Sequence, residues 1–167
     1  MNSLPLLARL FEYSDWANAQ VLSAAAGLSD EQLDQPLEIG PGPGTLRRVL
    51  MHTWAGEDTW LRRWRGEMEA KWPAESDRLS IAQVRERFET TCAQRAEFFG
   101  ALDESALQRE QKYRDSRGGV FSASLGDMLL QGIVHSVHHR AQATNAIRRL
   151  GGPAPEMDYM MRIRRPG

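Results

Sequence analysis

The sequence predicts an all-α fold, a four-helix bundle, from three observations. Four long stretches repeat their apolar residues at the three- and four-residue spacing of a helix face. Each opens at a residue suited to capping a helix, and the intervening chain is rich in Gly, Pro and polar residues. Only one short run, "EQKYRDSRGGVFSAS", reads as extended. Amphipathic helices with so little strand bury their stripes against one another.

The first helix spans about 4–26, with Ser3 as N-cap, Pro5 in the first turn and a stripe of Leu6, Leu7, Leu10, Phe11, Ala17 and Val21, ending at Gly27. "LSDEQLDQPLEIGPGPG" is loop with one helical turn at 29–33, and Pro41, Gly42, Pro43 and Gly44 force a stop. The second helix runs from the cap Thr45 to about Arg65, on Leu46, Val49, Leu50, Thr53, Trp60, Leu61 and Trp64. Ser80 caps the third, whose stripe is Ile81, Val84, Phe88, Cys92, Ala96, Phe99 and Leu102. Cys92 reads as a buried structural thiol, since no electropositive neighbour in sequence would favour a thiolate. "RGG" suits a turn joining two short extended segments, a small hairpin. The fourth helix, 124–150, opens with the box-like spacing of Ser124 and Asp127 and closes on Gly151, Gly152 and Pro153. No repeat or composition shift divides the chain, so a single domain over 1–167 is expected.

At 167 residues the chain can bury a core without disulfides or structural metal, so any metal is expected to serve function. The 21 basic and 22 acidic side chains leave a net charge of −1, which gives no footprint for nucleic acid or a membrane surface. The tail "RIRRPG" reads as a solvated terminus rather than a phosphate-binding one. A single cysteine excludes an internal disulfide framework and a multi-cysteine zinc site. Arg9, Glu12 and Asp15 interrupt the N-terminal apolar residues, unlike a signal peptide, and nothing later is long and apolar enough to span a bilayer. The expectation is a cytoplasmic protein.

Three of the four histidines fall in "HSVHHRAQ", residues 135–142. The fourth helix has an apolar centre line of Leu125, Leu129, Gly132, Ser136, Ala143, Ile147 and Leu150. At about 100° per residue, His139 lies about 40° from that line, His135 about 80° and His138 about 140°. His135 and His139 thus form an i, i+4 pair at the core edge, close enough for their ring nitrogens to share one ion. His52 lies about 120° from the second helix's stripe, at the rim of the buried face. Three imidazoles from two helices would hold a metal on one side and leave coordination positions open. A chance HxxxH with hydrogen-bonded rings is the competing reading, and Gly132 and Ser136 suit either a close-packed site or simple tight helix packing.

"YSDWANAQVL" at 13–22, "GTLRRVLMHTWAGEDTWLRRWRGE" at 44–67, "HSVHHRAQ" and "GGPAPEMDYM" at 151–160 together resemble, in order and spacing, the DinB/YfiT-like family. The resemblance implies a four-helix bundle with a long crossover connection, often a homodimer, with a divalent metal on three histidines. Those match His52, followed by Glu57 and Trp60, and the pair His135 and His139. His138 corresponds to a common family histidine outside the triad, and Ala141 stands where the family often has Gly. Zinc or nickel is expected first, though three imidazoles and water suit several divalent ions.

The resemblance also makes a metal-dependent enzyme the leading class, a transferase or isomerase using a low-molecular-weight thiol, or a hydrolase using metal-activated water on a small-molecule substrate. A noncatalytic metal-binding stress-response protein is the alternative, and a domain working only as a dimer through exposed Trp54 or Trp72 a third. Pocket candidates follow from position. Arg140 could bind an acidic group or be an exposed helix charge. Gln142 could line the site. Glu57, near an apolar line where an unpaired carboxylate is costly, should pair with a ligand's free N–H or with an arginine such as Arg9 or Arg140. Trp16 and Asn18 could meet the pocket from the first helix, Trp16 being equally suited to the core.

Overall fold

Capping side chains set where most of the helices begin. The computed structural model describes residues 3–40, 42–73 and 78–165, so Pro41 lies outside the described residues, as does the end of the basic tail. Helix α1 covers Leu4–Ala25, α2 Asp30–Asp34, α3 Leu46–Trp64, α4 Ile81–Gly100, α5 Leu125–Arg149 and α6 Tyr159–Ile163. Thr45, Ser80 and Ser124 accept the backbone N–H of Arg48, Gln83 and Asp127, and Gln83 completes a capping box. Ser3 differs from expectation. Its own backbone is helical and its side chain makes no cap bond; the Glu104 carboxylate accepts the N–H groups of Ser3 and Leu4 instead. A carboxylate from a distant turn does at this positive helix end what a local hydroxyl does elsewhere.

The expected hairpin forms from β1, Glu110–Arg114, and β2, Val120–Ser124, antiparallel with Tyr113 opposite Phe121. A 3-10 turn at Glu104–Gln108 precedes it. Neither that turn nor α6 was expected; α6 is held near α1 by Tyr13, whose hydroxyl donates to the Met157 carbonyl at 2.5 Å and whose ring packs on Tyr159.

Helix α5 packs most extensively on α3 and next on α1, while α4 packs on α3 and α1. The helices thus follow one another around the bundle as α1, α5, α3, α4. Two connections cross it, the one carrying α2 and the one carrying the hairpin. The second crossing lays the hairpin beside the C-terminal part of α3.

The core is divided. One apolar cluster joins Val21, Leu22, Val49, Leu50, Val84, Phe88, Ala143 and Ile147; another joins Phe11, Leu61, Trp64, Met128, Leu129 and Ile133. Between them every long helix contributes buried polar side chains: Ser14 and Asn18 from α1, Thr53 and Glu57 from α3, Thr91 and Arg95 from α4, and Ser136, His139 and Arg140 from α5. This polar layer positions the candidate site. Two expected stripe residues, Leu6 and Ala96, are exposed. Arg95, one position before Ala96 and seven after Phe88, takes the inward position.

Candidate metal centre

His52 on α3 and His135 and His139 on α5 are brought together at the edge of the polar layer. One ring nitrogen from each lies within 4.8 Å of the others. Ring centroids are 4.4 Å apart for His52–His139 and His135–His139, and 5.5 Å for His52–His135. Gly56, one turn after His52, makes this approach possible. A β-carbon there would sit 2.8 Å from His135 Nδ1 and 3.2 Å from Trp72 Cη2, so only glycine admits the ring without displacement. Trp72 covers the outer side, its ring 4.8 Å from His52 and 6.2 Å from His135.

His139 Nδ1 donates to Gln142 Oε1 at 2.7 Å, which leaves the lone pair on Nε2. His135 Nδ1 is buried without a hydrogen-bond partner. Burial first, then the neighbouring His139 and His52, push the His135 imidazolium down to about 4. Burial also lowers His139, with the Gln142 bond acting against it. Both rings are therefore neutral at pH 7, the state in which imidazole binds metal. His138 is exposed and lies outside the group of three converging nitrogens, although its ring stands edge-on to that of His139 with centroids 4.8 Å apart.

Beneath the histidines lies a buried ionic network. Glu57 Oε1 accepts Asn18 Nδ2 and Ser136 Oγ, each at 2.8 Å, and its Oε2 accepts Arg95 Nη1 at 2.9 Å. Burial opposes the charge on Glu57, but Arg95 and these hydrogen bonds outweigh it and hold the carboxyl below its ordinary value. Arg95 also pairs with Asp15 and lies 4.9 Å above the Phe11 ring. Of the two expected pairings of Glu57, the carboxylate takes the one with an arginine, but that arginine is Arg95, entering from α4, rather than Arg9 or Arg140.

Arg140 is 4 % exposed, which removes the reading of an exposed helix charge. Its Nη1 donates to Ser14 Oγ at 2.6 Å and Asn18 Oδ1 at 3.1 Å. Gln142 meets the histidine cluster through the bond it accepts from His139. Asn18 lies within the network rather than beside the histidines, and Trp16 is half-buried against Tyr13, in neither core nor pocket. Gly132 serves packing, since a β-carbon there would meet Trp64 at 2.7 Å, and Ser136 serves Glu57. Trp54 and Trp72 are not free surface side chains: Trp54 Nε1 donates to Thr91 Oγ1 at 3.2 Å beneath Arg87, and Trp72 lies on the histidines. Cys92 is half-buried, and although Arg95 Nη2 stands 3.4 Å from its sulfur, burial pushes the thiol up to about 12. It is a structural thiol.

A cleft of about 480 Å³ opens beside the cluster, lined by Trp60, Arg63, Trp72, Tyr113, Asp115, Ser116, Ala123, Asp127, Met128, Gln131 and His135. Helices α3 and α5 form its floor and the hairpin one wall. Arg63, Tyr113 and Arg95 were absent from the sequence-based candidates. Spacing carried a signal for two of them: Arg95 falls in phase with Phe88, and Arg63 follows His52 and Gly56 on one face of α3.

Fold and site together define a helix bundle with a three-imidazole cluster at the edge of a cleft. The profile of the DinB family matches residues 1–165, and the chain belongs to that family. Protein DinB of Bacillus subtilis (strain 168) is 24% identical over 163 residues, covering 90% of each chain. A DinB-like protein from Bacillus cereus ATCC 10987 superimposes with a TM-score of 0.71 at 21% identity, over 90% of this chain and 94% of that one. YfiT from Bacillus subtilis, described as a probable metal-dependent hydrolase with an unusual four-helix bundle topology, superimposes with a TM-score of 0.65 at 18% identity, over 87% of each chain. These likenesses establish the fold. Among the described residues no helix is long and apolar enough to cross a membrane.

Proposed function

We propose that the protein is a divalent-metal-dependent enzyme acting on a small molecule, with His52, His135 and His139 as the metal ligands. The observation that carries this reading is the convergence of three imidazole nitrogens within 4.8 Å at the edge of an open cleft. The donor set fits a metal. His135 Nδ1 is buried without a partner, His139 is oriented by Gln142, and neutral imidazoles suit borderline ions such as zinc and nickel. When bound, such an ion supplies Lewis acidity to a substrate oxygen or a thiol. The chain's own residues define the rest: Gly56 admits His135, Trp72 shields the cluster from water, and the cleft orients the reactant.

Two reaction classes are compatible with this arrangement, hydrolysis, the activity ascribed to YfiT, and transfer of a low-molecular-weight thiol, implied by the family resemblance. Incubating metal-loaded protein with cellular thiols and electrophiles, and separately with a set of esters and amides, distinguishes them. Metal-dependent conjugate indicates transfer, and metal-dependent acid release indicates hydrolysis. Fully loaded protein inert in both sets would instead favour a noncatalytic metal-binding protein.

A homodimer is supported by an exposed apolar row on α5, where Leu130, Val134 and Val137 are 47, 55 and 49 % exposed. Sedimentation should show a dimer that Val134→Glu converts to monomer; a wild-type monomer would remove this part of the reading.

A further inference from the structure

Arg63 lies in the wall of the cleft, 9 % exposed, with its guanidinium 4.8 Å from the Trp60 ring and 5.2 Å from the Tyr113 ring. Its Nη2 donates to the Arg114 carbonyl at 2.8 Å, but its buried Nε has no hydrogen-bond partner. Among the described residues no carboxylate forms an ion pair with it. The two cleft carboxylates are engaged elsewhere: Asp115 Oδ1 accepts the Arg117 and Gly119 N–H groups at 2.9 and 2.8 Å, and Asp127 Oδ2 accepts Ser124 Oγ at 2.7 Å. Asp115 acts on Arg63 only at longer range and burial outweighs it, so a buried cation without a direct ion pair is costly for folding alone, unlike Arg95, whose charge is matched on both sides.

His52, Gly56 and Arg63 are separated by four and seven residues, which places them on one face of α3, with Arg63 about 16 Å from His52 along the axis. Side chains lean toward the helix N-terminus, and Arg63 does so over Trp60 while its Nη2 is tied to the hairpin at Arg114; His135 lines the same cleft. We propose that Arg63 binds the carboxylate of an anionic substrate whose other end reaches the histidine cluster, with Trp60, Trp72 and Tyr113 flanking its apolar or aromatic body. This rests on the enzyme reading above and adds the substrate class. A planar guanidinium can present two N–H donors to the two oxygens of a carboxylate, which a lysine ammonium cannot do, and Arg63 has donors beyond the one given to the Arg114 carbonyl.

The test uses zinc-loaded full-length protein and calorimetric titration with 3-phenylpropanoate, its primary amide and phenyl phosphate. The acid should bind at least about tenfold more tightly than the amide, the scale of a charge-assisted hydrogen bond. Arg63→Gln should abolish that preference and Arg63→Lys should restore only part of it, with zinc content equal in all three proteins. Should Arg63→Gln fail to fold, the Arg63 Nε–H resonance of the wild type serves, shifting on addition of the acid and not of the amide. Equal affinity for acid and amide, no binding of either, a preference that survives in Arg63→Gln, or an unmoved Nε signal overturns the proposal. Preference for phenyl phosphate over the carboxylate overturns the choice of carboxylate. Failure of the enzyme reading shows differently, as Arg63-dependent acid binding with no metal-dependent turnover of any substrate.

Discussion

Gly56 and His135 are fitted to one another across the α3–α5 contact: a β-carbon at position 56 would stand 2.8 Å from His135 Nδ1. The histidine cluster depends on a missing side chain on the facing helix as much as on the rings themselves.

Gly56→Ala should therefore displace the His135 ring. Overpacking of this kind costs about 1–3 kcal/mol, and the loss of ring orientation should weaken metal binding by roughly 10- to 100-fold. Competition with a chromophoric chelator measures the affinity; wild-type affinity in Gly56→Ala would show that the ring has another place to go.

Glu57→Gln removes a buried charge from Arg95 while leaving the histidines untouched, because the carboxylate bonds Asn18, Ser136 and Arg95 rather than an imidazole. Breaking a buried ion pair on one side costs about 3–5 kcal/mol, partly offset here by Asp15. Chemical denaturation should show this loss, with metal stoichiometry retained. Loss of metal by a folded Glu57→Gln protein would mean that the carboxylate acts on the site.

The metal-free protein should lose stability as the pH falls from about 6.5 toward 4, in part through His135. That ring stays neutral in the folded state down to about 4, whereas in the unfolded chain it takes up a proton near 6.5. The unfolded state thus binds more protons in this window, so stability rises with pH across it. His135→Gln should have a shallower slope between pH 4 and 6.5; an unchanged slope would show that His135 is not the group responsible.

The helices were legible in the sequence because their caps and stripes are local: Thr45, Ser80 and Ser124 each cap the helix expected of them. The histidine pair was legible for the same reason, since i and i+4 share a face in any helix. What lay beyond the sequence were partnerships set by which helices adjoin. Arg95 reaches Glu57 only because α4 packs beside both α1 and α3, and Arg63 meets Tyr113 only because the crossing chain lays the hairpin there. The Ser3 cap failed on a similar ground, a long-range carboxylate displacing a local hydroxyl. Short α6 is anchored by Tyr13, a contact that no periodicity within residues 159–163 announces.

The most direct measurement is the metal content of three purified proteins after loading with zinc or nickel and removal of excess ion. Wild type and His138→Ala should retain stoichiometric metal, and metal should raise the melting temperature of both. His135→Ala should retain none and show no such rise. Equal metal content in wild type and His135→Ala would contradict the assignment of His52, His135 and His139 as the site.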